Sequence, residues 1–160
     1  MDRARVEILL VEDNEADVCL FQTLMKGAFH MTVSHTGAEA LDRLFQRGNF
    51  SGSPRPDVVV LDLNVPILNG HELLSVIKST PSLRSIPVVV FSGAENSSEV
   101  QKAYDSGACA YLLKRSDLSA TQAAFSAFAE FWIQQVIYPG VLHPLPAAAE
   151  KGDTGEQRDK

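Results

Sequence analysis

Apolar residues gather in five short runs, at Val6–Val11, 31–34, Val58–Leu61, 86–91 and 109–113. Longer stretches of helical period separate them. Short apolar runs alternating with helical stretches predict an α/β fold, a parallel sheet covered by helices on both faces. VVVL in the third run and VVVF in the fourth are wholly apolar, as strands buried on both faces are. The second run is the weakest and is expected at an edge.

Helix starts are well marked. Asn14-x-x-Asp17, Thr36-x-x-Glu39, Asn69-x-x-Glu72 and Asn96-x-x-Glu99 each place a capping residue three before an acid. Ser116 or Asp117 can open a fifth helix, and Gly48 and Asn49 are expected to stop the second. SGSPRP at 51–56 reads as a connector before the third strand. In the last helix Leu118, Thr121, Phe125, Phe128, Trp132 and Val136 form one stripe, expected to pack on the sheet. Ala120, Ala124, Ala127 and Phe131 form a second stripe of small and apolar residues.

The third run raises a chemical question, because VVVLDLNVP ends a core-like strand on a lone carboxylate, Asp62. Burying an ionised acid is costly unless something there uses its charge. In open parallel sheets, ligands gather beyond the carboxyl ends of the strands. Those ends carry Glu12 and Asp13 after the first run, Asp62 after the third, Ser92 and Gly93 after the fourth and Lys114 after the fifth. Crowded carboxylates are relieved by a small divalent cation, and oxygen donors suit Mg²⁺. A carboxylate can also act as a nucleophile toward phosphorus, forming an aspartyl phosphate whose oxygens an ammonium and a hydroxyl can bind.

Composition narrows the possibilities. The 160 residues fit one domain, and 45% are hydrophobic, enough to fill a core. A net charge of −6 argues against non-specific DNA binding. No apolar run approaches membrane-spanning length and the start lacks the features of a signal peptide, so a cytoplasmic protein is expected. Cys19 and Cys109 lack metal spacing and are expected to be buried thiols. His30, His35, His71 and His143 are scattered singly and read as surface or packing residues.

Taken together, ILLVEDNEAD (8–17), VVVLDLNVPILNG (58–70), VVVFSG (88–93) and AYLLK (110–114) resemble the receiver domains of two-component response regulators over about residues 6–136. The resemblance implies a flavodoxin-like, doubly wound five-stranded parallel sheet of order 2-1-3-4-5, flanked by five helices. It implies that Asp62 is the phosphoacceptor, taking its phosphoryl group from a histidine kinase. Asp13, Asp62 and the backbone carbonyl of Asn64 would bind Mg²⁺, with Glu12 holding a bound water or reaching the ion. Lys114 and Ser92 would bind the phosphoryl oxygens, and Tyr111 would change rotamer with Ser92. The protein would be a signalling phosphoacceptor assisting its own phosphorylation and dephosphorylation, not a turnover enzyme.

Three departures from the family pattern stand out. Glu12 replaces the commoner Asp. Arg115 follows Lys114 where the family has a cis proline, leaving open whether this bond is cis or trans. Ala94 is small and Asn64 polar, so an attacking water meets little obstruction and a short-lived phosphoryl bond is expected.

EDNEAD, DLNVP and the extended end FWIQQVIYPGVLHPLP further resemble the small single-domain regulators paired with bacterial phytochrome kinases. That resemblance implies a light-responsive kinase as phosphodonor and a homodimer through the last helix and neighbouring strand; the second stripe of that helix independently offers Phe131, Ala124 and Ala127 as interface candidates. The expected organisation is a receiver over 1–138, then an extension and disordered tail over 139–160. The alternative is a receiver-like interaction module that works without phosphorylation. An aspartate-nucleophile phosphatase is disfavoured because Asn64 stands where a general acid is needed.

Overall fold

Five strands and five α-helices alternate along the described residues: β1 (Val6–Val11), α1 (Glu15–Leu24), β2 (Phe29–Ser34), α2 (Gly37–Leu44), β3 (Val58–Leu61), α3 (Gly70–Ser79), β4 (Val88–Ser92), α4 (Ser97–Asp105), β5 (Ala110–Leu113) and α5 (Leu118–Phe128), with a short 3-10 turn, Gly48–Phe50, between α2 and β3. This computed structural model describes residues 5–25 and 27–139. His143 and the expected tail from 140 onward lie outside the described residues.

The five strands are parallel in the order β2-β1-β3-β4-β5, the order the family resemblance implies. β2 lies at an edge and begins at Phe29, ahead of its expected start. Side chains alternate across the sheet, as strand geometry requires. Leu9, Val11, Val59, Leu61, Val88 and Val90 face α2, α3 and α4, where they meet Ala40, Leu73, Leu74 and Ile77. Ile8, Leu10, Val58, Val60, Val89 and Phe91 face α1 and α5, where they meet Val18, Phe21, Phe125 and Phe128. Each fully buried side chain of this size contributes about 1.5–3 kcal/mol. Phe21 and Phe125 lock α1 to α5, with ring centroids 4.9 Å apart at 74°.

All four expected caps form. The side chains of Asn14, Thr36, Asn69 and Asn96 accept hydrogen bonds from first-turn amides. Only Asn69 and Glu72 complete a reciprocal capping box. The other three acids turn to different partners: Asp17 to Lys114, Glu39 to Arg43 and the His35 amide, and Glu99 to His71. Asp117 opens α5, accepting from the Ser119 amide.

Several expectations need correction. The second helix stops at Leu44, before Gly48. Gln46, at φ 53°, takes the left-handed position, and the Arg47 and Gln46 amides donate to the Asp42 and Arg43 carbonyls, a Schellman end. Leu118 opens α5 and is 57% exposed, so it does not join the stripe on the sheet. Beyond Phe128 the chain continues as a π-helical segment, Ala129–Gln135. Its wider turn rotates the face, and Ala129 and Ile133 join the core beside Trp132. Cys19 and Cys109 are exposed rather than buried. Cys19 lies next to buried Val18 on α1 and faces away from the core, while Cys109 precedes the edge strand β5. Tyr138, just after the helix, is buried in the α1/α5 core and its hydroxyl donates to the Trp132 carbonyl.

Candidate metal centre and phosphoacceptor site

The register sets Val11 beside Leu61, and Ser92 beside Leu113. The residues that follow these strands therefore emerge at one edge of the sheet. The Asp62 amide donates to the Val11 carbonyl at 3.0 Å, and the Lys114 amide to the Ser92 carbonyl at 2.8 Å, which extends the ladder into the site. Gly70, the first residue of α3, lets that helix close on the loop. A β-carbon there would lie 2.6 Å from the Asp62 carbonyl oxygen and 2.5 Å from the Leu63 Cα.

The Lys114 ammonium is the hub. Its Nζ donates to Glu12 Oε2 at 2.6 Å, Asp62 Oδ2 at 2.9 Å and Asp17 Oδ2 at 2.9 Å. Glu12 and Asp62 are buried, and each has a second anchor. Glu12 Oε1 accepts from the Asn14 amide and Asp62 Oδ1 from the Asn64 amide, both at 3.0 Å. Burial pushes the Glu12 carboxyl up to about 7, against the Lys114 ammonium and the Asn14 amide, which favour its anion. Burial also works against the Lys114 charge, but its three carboxylate partners outweigh it and raise its pKa above the ordinary lysine value.

Glu12, Asp13 and Asp62 each offer a carboxylate oxygen, and these oxygens all lie within 4.8 Å of one another. Asp13 is exposed, so the cluster opens to solvent on its side. Hard oxygen donors at this spacing fit a divalent cation. Ser92 is fully buried, its Oγ accepting from the Ala94 amide at 3.3 Å. The Tyr111 hydroxyl donates to the Ala94 carbonyl at 2.9 Å, so one residue holds both expected switch side chains. The described residues contain no cis peptide bond, which makes Lys114–Arg115 trans.

The structure thus brings together Glu12, Asp13, Asp62 and Lys114, with Ser92 and Tyr111 tied to the neighbouring β4–α4 loop. Asp17 and His35 were not foreseen here. His35 Nδ1 bonds the Glu12 carbonyl at 3.1 Å. Asp17 stands in the first turn of α1, and its capping-box spacing pointed to the cap rather than to the site. Phe131, Ala124 and Ala127 lie elsewhere, on a shallow groove of about 230 Å³ that also includes Ala110, Leu112 and Trp132. Phe131 is 55% exposed.

The family profile described as "Response regulator receiver domain" matches residues 8–126. The chain belongs to the response regulator receiver domains. This receiver is 36% identical over 135 residues to the response regulator Rcp1 of Synechocystis sp., a match covering 82% of this chain and 92% of that one. It is 34% identical over 138 residues to a probable methanogenesis regulatory protein, FilR2, of Methanothrix harundinacea, covering 83% and 87%. Among solved structures, the phosphorylated cyanobacterial phytochrome response regulator RcpA superposes with a TM-score of 0.81 at 36% identity, covering 85% of this chain and 99% of that one. The Mn(2+)-bound form of Rcp1 superposes with a TM-score of 0.80 at 34% identity, covering 84% and 99%. Among the described residues of this receiver, no helix is long and apolar enough to cross a membrane.

Proposed function

We propose that this receiver is a single-domain phosphorylation switch in which Asp62 accepts a phosphoryl group from a phosphohistidine of a sensor histidine kinase. The observation that carries this reading is the position of Asp62, shared between the Lys114 ammonium and the cluster it forms with Glu12 and Asp13. The transfer is simple to balance. An Asp62 carboxylate oxygen forms the new bond to phosphorus, the bond from phosphorus to the imidazole nitrogen breaks, and its electron pair stays on that nitrogen. Mg²⁺, held by Asp13, Asp62, the Asn64 carbonyl and Glu12 directly or through water, would offset the negative charge gathered around the phosphoryl oxygens. Lys114 orients the Asp62 carboxylate beforehand and binds a phosphoryl oxygen afterwards. Ser92 turns its hydroxyl from the Ala94 amide to another phosphoryl oxygen, and Tyr111 follows by leaving the Ala94 carbonyl.

Similarity to Rcp1 and RcpA supports a phytochrome kinase as the donor, with the switch acting in the cytoplasm. The receiver unit spans 1–138 and residues 139–160 form its extension. Output runs through contacts with other proteins, including a second copy of the chain. Phe131 stands at the rim of the groove containing Ala124 and Ala127, so knob and socket share one surface, as a two-fold dimer requires. Intact-mass measurement after treatment with acetyl phosphate and Mg²⁺ tests the central claim. The parent should gain one phosphoryl group and Asp62→Asn none. A folded parent that stays unmodified would overturn the reading in favour of a phosphorylation-independent module.

A further inference from the structure

Asp17 has no part in the candidate ion cluster, yet it holds Lys114. An ammonium has three N–H donors, and at Lys114 each meets a different carboxylate. Two of these acceptors, Glu12 and Asp62, also belong to the cluster, and on the proposed function phosphorylation would change what both of them bind. On phosphorylation Asp62 would carry a phosphoryl group on one oxygen, and Glu12 would serve a bound divalent ion directly or through water. The bond from Asp17 is the one that this chemistry leaves alone.

Local structure explains why Asp17 is available. At the third position of a capped helix an acid commonly bonds back to the cap's own amide. Here Glu12 Oε1 already accepts from the Asn14 amide, and Asn14 Oδ1 accepts from the Ala16 and Asp17 amides. The cap is complete without the Asp17 carboxylate. That group instead reaches across to Lys114, just past the end of β5 and 97 positions along the chain. Its side chain is 30% exposed, whereas that of Lys114 is 19% exposed, so the pair sits at the mouth of the site.

We propose that Asp17 is a positioning residue for phosphoryl transfer, tethering the Lys114 ammonium at the mouth of the site while its bonds to Glu12 and Asp62 are exchanged for phosphoryl oxygens. This rests on the reading of Asp62 as phosphoacceptor. Without Asp17, the ammonium is held only by groups that the reaction itself rearranges, and it settles on them more firmly before transfer.

The test is a set of phosphorylation rates by intact mass, with acetyl phosphate and saturating Mg²⁺. Removing the Asp17 charge, which leaves at most a weaker amide acceptor for the ammonium, should lower the rate of Asp17→Asn roughly tenfold. Asp17→Ser should behave alike, and Asp17→Glu, which keeps the charge, should retain more of the rate than Asp17→Asn. In a Lys114→Gln background, Asp17→Asn should cause no further loss, an outcome that a merely structural role would not produce. A rate equal to the parent's, or an equal loss in both backgrounds, overturns the proposal. A parent that takes up no phosphoryl group overturns the Asp62 reading, and the role of Asp17 falls with it.

Discussion

Gly37, the first residue of α2, presses against the carbonyl of Leu68 in the β3–α3 loop. A β-carbon on Gly37 would lie 1.9 Å from that oxygen. The Gly37 amide also reaches back to the Pro66 carbonyl at 3.4 Å. The start of one helix thereby braces the loop that contains Asn64. Gly37→Ala forces backbone against backbone, and overpacking of this kind costs about 3 kcal/mol. The midpoint of urea unfolding should fall accordingly, and Mg²⁺ binding by titration calorimetry should weaken as the loop shifts. An unchanged midpoint would show that the two segments separate freely.

The same loop holds a strained residue. Ile67 has φ 72° and is 83% exposed, and the Leu68 amide closes on the Pro66 carbonyl at 3.0 Å to form a γ-turn around it. A β-branched side chain is poorly suited to that region, and Asn tolerates it better. Ile67→Asn should therefore stabilise the fold by about 1 kcal/mol, read as a higher urea midpoint at unchanged slope.

Divalent-ion binding should depend on pH through Glu12. Its carboxyl, pushed up to about 7 by burial, must lose its proton to serve the ion. Protons compete increasingly for that carboxylate as pH falls through this value. Mg²⁺ affinity measured by calorimetry should drop by up to about tenfold per pH unit below about 7 and level off above it. Glu12→Gln should bind more weakly at high pH and show a flatter profile. A parent affinity constant between pH 6 and pH 8 would assign this proton elsewhere.

Ala94 ties the two expected switch side chains to one residue. It holds Ser92 through its amide and Tyr111 through its carbonyl, and its methyl group is expected to obstruct an attacking water less than a long side chain would. Ala94→Lys should lengthen the lifetime of phospho-Asp62 by roughly tenfold, a barrier increase of about 1.4 kcal/mol. Decay followed by intact mass after removal of the phosphodonor decides this. Equal or faster decay in the variant would mean that water reaches the phosphorus from another side.

Phe131 offers a separate test of assembly. A charge placed at the rim of the groove formed by Ala124 and Ala127 should split a symmetric contact twice over, once on each copy. Phe131→Asp should sediment as a monomer under conditions where the parent is a dimer. Because the side chain is 55% exposed, folding should be little affected, which circular dichroism can verify.

What the sequence determined by itself is what depends on neighbours in the chain. The apolar runs specified five strands because period and composition act locally, and Asn14, Thr36, Asn69 and Asn96 announced helix starts because a cap bonds within its own first turn. Asp62, Glu12, Asp13, Ser92 and Lys114 could be assembled on paper because parallel topology brings strand ends to one edge. Tertiary structure decided where long side chains went once several partners competed. Asp17 and Glu99 have the spacing of capping-box acids, yet a lysine and a histidine from distant elements drew them away. The π-helical turn after Phe128, the return of Tyr138 to the core and the exposure of Leu118 and Cys109 likewise follow from how the last helix and the edge strand meet their neighbours. Such choices compare contacts between segments far apart in the chain, and no window of local sequence contains both sides of that comparison.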